Sequence, residues 1–132
     1  MTFNISPNTL DNLMYASVLM PIKMFWINGG TNKHYYHIKD KVIVITGANA
    51  GIGFECALEL AAMKPKAIVL ACRDRGRGMT AISEIKMAGH FNCEFMQLDL
   101  NDLVSVKEFA KEVTAKYPVI DILLNNAGIM AL

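Results

Sequence analysis

One stretch of sequence decides the fold: Val42–Gly53, which reads VIVITGANAGIG. Its first five residues are all β-branched and do not alternate with polar residues, a pattern typical of a strand buried on both faces of a parallel sheet. A glycine-rich turn follows, and a helical pattern begins directly after it. The stretch therefore predicts a strand, a tight turn and a helix in immediate succession.

Three later runs predict further strands: Ala67–Cys72, Cys93–Leu98 and Val119–Leu124. The segments between the strands carry apolar residues at three- and four-residue spacing, which predicts amphipathic helices. The expected apolar stripes are Ile52, Cys56, Leu60 and Met63; Met79, Ile82, Ile85 and Ala88; and Leu103, Val106, Phe109, Ala110 and Val113. The order β-α-β-α-β-α-β predicts parallel strands joined by right-handed helical crossovers.

Composition excludes several classes of protein. Hydrophobic residues make up 53% of the 132 residues and charged residues 19%, so most of the chain is not disordered. A formal net charge of +1 leaves no basic excess for nucleic-acid binding. The three cysteines are widely spaced and odd in number, which indicates a reducing, intracellular compartment rather than disulfides or zinc. The histidines, His34, His37 and His90, have no metal-ligand spacing, so no metal site is predicted.

Residues 1–38 differ from the rest and are predicted to form an N-terminal arm and linker, followed by the domain at 39–132. Leu13–Ile27 is strongly apolar but is interrupted by Pro21 and Lys23, and it is shorter than a spanning helix. Two interpretations stay open: an arm packed on the domain, or a shallow membrane anchor with Lys23 reaching the interface. Asn28–Asn32 is predicted to be a linker.

The glycine-rich turn at Gly47, Gly51 and Gly53 is suited to a pyrophosphate. The N-terminus of a helix presents unpaired N–H groups and a favourable dipole, and glycines let the backbone approach the phosphates. The turn stands between a predicted strand and a predicted helix, which is the context that such a site requires. The alternative is a tight strand-to-helix turn with no ligand.

Three motifs in this order resemble the short-chain dehydrogenase/reductase family: Thr46–Gly53, Asp99-Leu100 and Asn125–Gly128. Within the family, Val44–Asn49, Leu70–Asp74 and Asn125–Met130 are most similar to the retinol dehydrogenase-like reductases. The resemblance spans roughly residues 38–130. It implies the N-terminal half of a Rossmann-type, doubly wound α/β sheet with strand order 3-2-1-4.

The resemblance also implies a function. The expected activity is hydride transfer between NADP(H) and a carbonyl/alcohol pair, with a lipophilic, retinoid- or steroid-like substrate. Residues 13–27 are expected to contact the endoplasmic reticulum membrane, the alternative being a cytoplasmic protein, and a homo-oligomer is a candidate assembly.

The resemblance assigns roles residue by residue. The pyrophosphate would be held by the turn, the adenine edge by the Asp99-Leu100 pair, and the ribose and nicotinamide by the last motif. These cofactor-binding residues are Gly47, Asn49, Ala50, Gly51, Ile52, Gly53, Asp99, Leu100, Asn125, Ala127 and Gly128. Asn125 is also expected to tie the central sheet together. Asn126 is either a cofactor residue or a purely structural turn residue, and helix capping is assigned to Asn101 or Asp102 rather than Asp99.

Charge argues for NADP over NAD. In NAD-preferring folds an acidic residue about 20 positions beyond the glycines accepts from the ribose 2′-hydroxyl. That place here is Arg73, and a guanidinium suits the 2′-phosphate of NADP. Asp74 follows at once and complicates the assignment, while Arg75 and Arg77 add positive charge. The alternative is a solvated charged loop.

In the resembled family, a Ser and a later Tyr-x-x-x-Lys pair carry the chemistry, and no position of this chain matches them. Tyr35–Lys39 has the spacing but precedes the first strand, about 17 Å from the cofactor end at 3.3 Å per residue. We interpret it as coincidence and assign no catalytic residue. The chain is expected to be part of an enzyme or a non-catalytic product that binds NADP or regulates a full-length relative. We also expect Val119–Leu124, as an apolar edge strand, to promote self-association.

Overall fold

The computed structural model describes residues 37–129. Residues 1–36 of the predicted arm and linker therefore lie outside the described residues, including the apolar run 13–27. The domain boundary after residue 38 stays a prediction, although Ile38 itself is buried in the core. None of the helices formed by residues 37–129 combines the length and the apolar character needed to cross a bilayer.

Four strands and three helices alternate in the predicted order. They are β1 (Val42–Thr46), α1 (Gly51–Ala62), β2 (Ala67–Cys72), α2 (Arg75–Met87), β3 (Cys93–Gln97), α3 (Leu103–Lys116) and β4 (Ile122–Leu124). All strand pairs are parallel and the sheet order is β3-β2-β1-β4. The predicted fold class and strand order are confirmed.

β4 is shorter than predicted, because residues 119–121 do not pair as a strand. The Asp121 carboxylate accepts the Val42 N–H at 2.8 Å and pairs with the Lys41 ammonium at 2.8 Å. The Asp121 N–H in turn donates to the Val42 carbonyl at 3.0 Å. The Asp121 carboxylate thus accepts the N–H that a backbone carbonyl of a neighbouring strand would otherwise accept. Regular pairing of β1 with β4 therefore starts only at Ile43 and Ile122.

The core lies on both faces of the sheet. Every residue of β1 and β2 is buried, as expected for strands covered by helices on both sides. The α1–α2 face buries Ile43, Ile45, Ile68, Leu70 and Ile85, and the α3 face buries Val44, Val69, Ala71, Met96 and Val113. This packing fixes the carboxyl ends of the strands relative to the loops that follow them.

The predicted stripe of α1 is confirmed at Leu60, which is partly buried against the core, but not at the two ends of the helix. The helix faces the sheet with Gly53, Ala57 and Ala61, whereas Ile52 is 79% exposed and Met63 43% exposed. Small residues let the helix lie close to the strands, and hydrophobic periodicity alone does not reveal that preference. α2 behaves in the same way: Gly78 and Ala81 are buried together with the predicted Ile82 and Ile85, while the predicted Met79 and Ala88 are exposed.

α3 follows its predicted stripe only in part. Val113 is buried and Val106 and Phe109 are half-buried against the sheet, but Leu103 at the helix start is exposed. Asp102 is the N-cap of the helix and its carboxylate accepts the Val104 N–H at 2.8 Å, so the predicted cap at Asn101 or Asp102 is confirmed at Asp102.

A polar cluster joins the end of α3 to β3. The Tyr117 hydroxyl donates to Glu94, and the Lys116 ammonium pairs with the same carboxylate. Burial, with the Glu94 hydrogen bond and charge, raises the pKa of Tyr117 to about 12. An unfolded tyrosine titrates near pH 10, so between about pH 10 and about pH 12 only the unfolded chain has released this proton.

We therefore expect the free energy of unfolding to fall as pH rises through that window, the contribution of Tyr117 being fully present below about pH 10. Urea denaturation at a series of pH values measures the fall, and Tyr117→Phe is the comparison because it carries no titrating proton. An equally steep fall in the Phe variant would show that Tyr117 is not responsible.

Candidate cofactor-binding site

The loops at the carboxyl ends of the strands enclose a cavity of about 590 Å³. Open α/β sheets bind ligands at this edge. The cavity is lined by Thr46, Gly47, Asn49, Ala50, Ile52, Gly53, Ala71, Cys72, Arg73, Leu98, Asp99, Leu100, Asn101, Asn126, Ala127, Gly128 and Ile129. The structure therefore brings the three sequence motifs and Arg73 to one place.

Ten of the twelve predicted cofactor residues line the cavity, and Gly51 and Asn125 do not. Sequence reasoning missed the buried contributors from the strand ends, among them Thr46 and Cys72. Burial raises the pKa of the Cys72 thiol, which therefore stays protonated near neutral pH. Cys72 thus lines the cavity as a small neutral group and not as a thiolate.

The glycine-rich turn has the backbone that its sequence predicts. Gly47 and Gly51 have φ of +67° and +58°, a region that glycine adopts without steric cost. The Gly47 N–H donates to the Ala71 carbonyl at 2.8 Å, which holds the turn against the end of β2.

α1 begins without a side-chain cap. Ala50 occupies its N-cap position, whereas the carboxylates of Asp74 and Asp102 cap α2 and α3. The first N–H groups of a helix have no partner within the helix. At the start of α1, where the cavity lies, they are left for an anionic ligand.

A pair of polar residues fastens the first and last motifs to each other. The Thr46 hydroxyl accepts the backbone N–H groups of Asn126 and Ala127 at 3.1 and 3.0 Å, and it donates to the Leu124 carbonyl at 3.4 Å. The Asn126 side-chain amide donates to the carbonyls of Thr46 and Gly47 at 3.0 and 3.3 Å. We call Thr46 and Asn126 the latch.

The latch corrects one expectation. The tie across the central sheet is made by Asn126 and not by Asn125, whose exposed side chain makes no hydrogen bond within residues 37–129. Two adjacent asparagines at the end of a strand are indistinguishable by spacing, so only the register of the turn separates their roles. Asn126 is therefore structural and also lines the cavity.

Two glycines lie very close to this latch. A Cβ added to Gly53 would stand 2.4 Å from the Asn126 amide nitrogen and 2.7 Å from the Gly47 carbonyl oxygen. A Cβ added to Gly47 would stand 3.0 Å from the Ala127 Cα. The glycines thus let the helix, the first turn and the last turn pack without intervening side chains.

Asp99 lines the cavity in the loop after β3. Its backbone N–H donates to the Ser105 hydroxyl at 2.9 Å, and its carboxylate accepts the Asn101 N–H at 3.0 Å. Because Asp102 caps α3, the Asp99 side chain is not needed as a helix cap.

Two of the arginines after β2, Arg73 and Arg75, have different surroundings. Arg73 lines the cavity, whereas the Arg75 guanidinium lies 6.0 Å from the centre of the Phe95 ring. Asp74 accepts the Arg77 N–H at 2.9 Å as the cap of α2. Asp74, the acidic residue next to Arg73, therefore acts as the cap of α2. Among the described residues that line the cavity, Arg73 is the one with a cationic side chain.

The lysine of the Tyr-x-x-x-Lys motif at 35–39 lies far from this cavity. Lys39 precedes β1 and so lies at the amino end of the sheet, while the cavity lies at the carboxyl end. Tyr35 lies outside the described residues.

A family model described as short chain dehydrogenase matches residues 41–132. The chain belongs to this family. Retinol dehydrogenase 12 from Bos taurus is 39% identical over 120 residues, which cover 89% of this chain and 37% of the bovine protein. The resemblance to retinol dehydrogenases inferred from the motifs is confirmed for the N-terminal part of such a protein.

The chain spans between about a quarter and 37% of the length of the curated short-chain dehydrogenase relatives that it matches. Two solved family members illustrate the structural similarity. One, from Burkholderia phymatum in complex with NAD, has a TM-score of 0.64 at 28% identity and covers 74% of this chain and 34% of that chain. Another, from Shigella flexneri 2a complexed with NADP, has a TM-score of 0.65 at 27% identity and covers 72% and 40%.

Proposed function

We propose that residues 37–129 form the NADP-binding part of an oxidoreductase that moves a hydride between NADP(H) and a carbonyl/alcohol pair. The observation that carries the proposal is the cavity at the carboxyl edge, into which an uncapped helix start and Arg73 both open. Membership of the short-chain dehydrogenase family supports a nicotinamide dinucleotide as the ligand. When bound, its nicotinamide supplies the hydride chemistry.

The residues fit such a ligand in three zones. The N–H groups at the start of α1 and the bare backbone of Gly47 suit the pyrophosphate. Asp99, with its carboxylate oriented by the Asn101 N–H, suits the adenine side. Ala127 and Gly128, anchored through the latch, suit the ribose and nicotinamide side. The role of this chain is to bind and orient the cofactor.

Preference for NADP is supported by the arrangement of charge. A 2′-phosphate needs a cation at the ribose end, and the planar guanidinium of Arg73 can donate two hydrogen bonds to it. The neighbouring carboxylate of Asp74 is engaged with the first turn of α2. It is therefore poorly placed to accept from the 2′-hydroxyl of NAD.

Arg73→Ala is expected to weaken NADPH binding by about 10- to 100-fold, the range for loss of a charge-assisted phosphate contact, and to leave NADH binding unchanged. Arg75→Ala is the matched control, because it removes the same charge from a side chain that stacks on Phe95 outside the cavity. Titration of both variants and the parent chain with NADPH and NADH, followed by nucleotide fluorescence, measures the affinities.

Parent affinity for NADH at least equal to that for NADPH would overturn the proposed preference. Equal losses in the two variants would show that only general positive charge is involved. Loss of NADH binding in Arg73→Ala would instead place Arg73 against a part common to both nucleotides.

We also propose that the substrate is lipophilic. Ile129, an exposed apolar residue that lines the cavity next to Ala127 and Gly128, makes the nicotinamide side of the cavity suited to an apolar molecule. The similarity to a protein named retinol dehydrogenase 12 supports a retinoid- or steroid-like carbonyl or alcohol. An intracellular location with membrane association through residues 13–27, and homo-oligomer formation, remain parts of the proposal.

A further inference from the structure

Apolar and cationic side chains share one surface at the amino end of the sheet, opposite the cavity. Met63, Met87 and Phe91 are 43%, 78% and 77% exposed. Three exposed lysines accompany them. We call this set, Met63, Lys64, Lys66, Lys86, Met87 and Phe91, the amino-end patch.

The two segments that carry the patch are fastened together. The Asn92 side-chain amide donates to the carbonyls of Ala61 and Pro65 at 3.4 and 3.3 Å. The loop before β3 thereby lies against the loop between α1 and β2. The segments that carry Lys64 and Phe91 are therefore held side by side at the amino end of the sheet.

The backbone at Lys64 adds a second observation. Lys64 has φ of +57°, and it is the residue other than glycine with a positive φ among residues 37–129. Glycine is favoured at this point after a helix, because a Cβ is sterically disfavoured in the left-handed region. The chain thus keeps a lysine where glycine would be more stable, which points to a use for the charge.

Charge is unevenly distributed over the domain. Residues 37–129 contain eleven Lys and Arg and eleven Asp and Glu, yet residues 63–66 and 86–92 contain three lysines and no acidic residue. The Asp121 carboxylate lies close enough to Lys66 to feel its charge, but it is paired with the Lys41 ammonium at 2.8 Å. A locally cationic surface with exposed apolar side chains between the charges matches the chemistry of an anionic bilayer surface. Apolar tips enter the headgroup region while ammonium groups meet lipid phosphates.

We propose that the amino-end patch docks on the surface of an anionic phospholipid bilayer. Phe91, Met87 and Met63 enter the headgroup layer, and Lys64, Lys66 and Lys86 pair with anionic headgroups. The contact is made by the folded domain itself and is distinct from any contact of residues 13–27. The cavity stays accessible because it lies at the other end of the strands, so the inference is independent of the proposed cofactor.

The first test is flotation of the full chain with phosphatidylcholine vesicles that contain or lack phosphatidylserine. Lys64→Gly combined with Lys66→Gln is expected to bind serine-containing vesicles about 30-fold more weakly, at about 1 kcal/mol per lysine. Lys107→Gln with Lys111→Gln removes the same charge from exposed positions of α3 and is expected to bind as the parent chain does. Lys64→Gly also relieves the positive φ, so its thermal midpoint should not fall.

The second test separates the patch from the N-terminal arm. In a chain carrying Trp26→Phe and Phe91→Trp, the introduced tryptophan is the sole tryptophan. Its emission is expected to shift to shorter wavelength and to be quenched by brominated phosphatidylcholine in serine-containing vesicles. Undiminished flotation of the double-lysine variant, or an unquenched and unshifted tryptophan while the chain is bound, would overturn the proposal.

Discussion

Gly53→Ala is expected to destabilise the domain by about 2–4 kcal/mol and to abolish measurable NADPH binding. Alanine inside a helix normally stabilises it by about 1 kcal/mol relative to glycine. Here the added Cβ would stand 2.4 Å from the Asn126 amide nitrogen and 2.7 Å from the Gly47 carbonyl oxygen. The helix must therefore move away from the turn, or the latch must open. Urea denaturation and NADPH titration measure the two effects.

Gly76→Ala is the comparison within another helix, since its Cβ would meet only the exposed Asp74 carboxylate, at 3.3 Å. We expect it to leave NADPH binding unchanged. Asn126→Ala combined with Gly53→Ala should cost less than the two single changes together, because the first removes the atom that the second strikes. A Gly53→Ala chain as stable as the parent would show that the close contact is not present in solution.

Gly47→Val is expected to be more damaging than Gly51→Val, although both glycines have a similar positive φ. A β-branched residue is strongly disfavoured in that region, so both variants lose stability. At Gly51 a Cβ meets nothing within 4 Å, whereas at Gly47 it stands 3.0 Å from the Ala127 Cα and 3.1 Å from the Ala127 Cβ. The Gly47 variant should lose about 1–3 kcal/mol more, the usual cost of overpacking.

The same two variants test whether the glycine-rich turn after β1 and the turn after β4 depend on each other. Displacing Ala127 would pull its N–H from the Thr46 hydroxyl, so Gly47→Val should also lose NADPH binding. Thermal melts and nucleotide titration of the two valine variants give the answer. Equal losses of stability would mean that backbone conformation alone, and not the contact with Ala127, makes glycine necessary at position 47.

The sheet could be predicted because its strands are unambiguous. β1 and β2 are uninterrupted apolar runs, and their burial on both faces follows from the helices between them. The faces of the helices were harder to predict. Periodicity favoured Ile52 and Met63, but close packing favoured Gly53, Ala57 and Ala61, since small side chains bring α1 nearer to the strands. Apolar spacing contains no information about that distance.

Where a motif determines the backbone conformation, the sequence predicted residues that line the cavity. It did not distinguish the roles of adjacent residues, because those roles depend on tertiary contacts. The glycine turn, Asp99 and Arg73 reach one cavity as expected. Choosing Asn126 over Asn125 for the latch required the hydrogen bonds to Thr46 and Gly47. The sequence did not determine the role of Asp74 either, because a carboxylate beside Arg73 can accept from a ribose or cap a helix. The structure shows that it accepts the Arg77 N–H.

The central claim is that the cavity at the carboxyl edge binds NADP(H) with its phosphates at the start of α1. Amide chemical shifts of an isotopically labelled chain, followed while NADPH is added, test it most directly. The largest changes are expected at residues 48–53 and at Arg73, Asp99 and Ala127, with saturation at one common affinity. A second groove lies between α2 and α3, and its residues Glu108 and Glu112, which do not line the cavity, should remain unperturbed. Saturable shifts confined to that groove, or none at residues 48–53, would contradict the account.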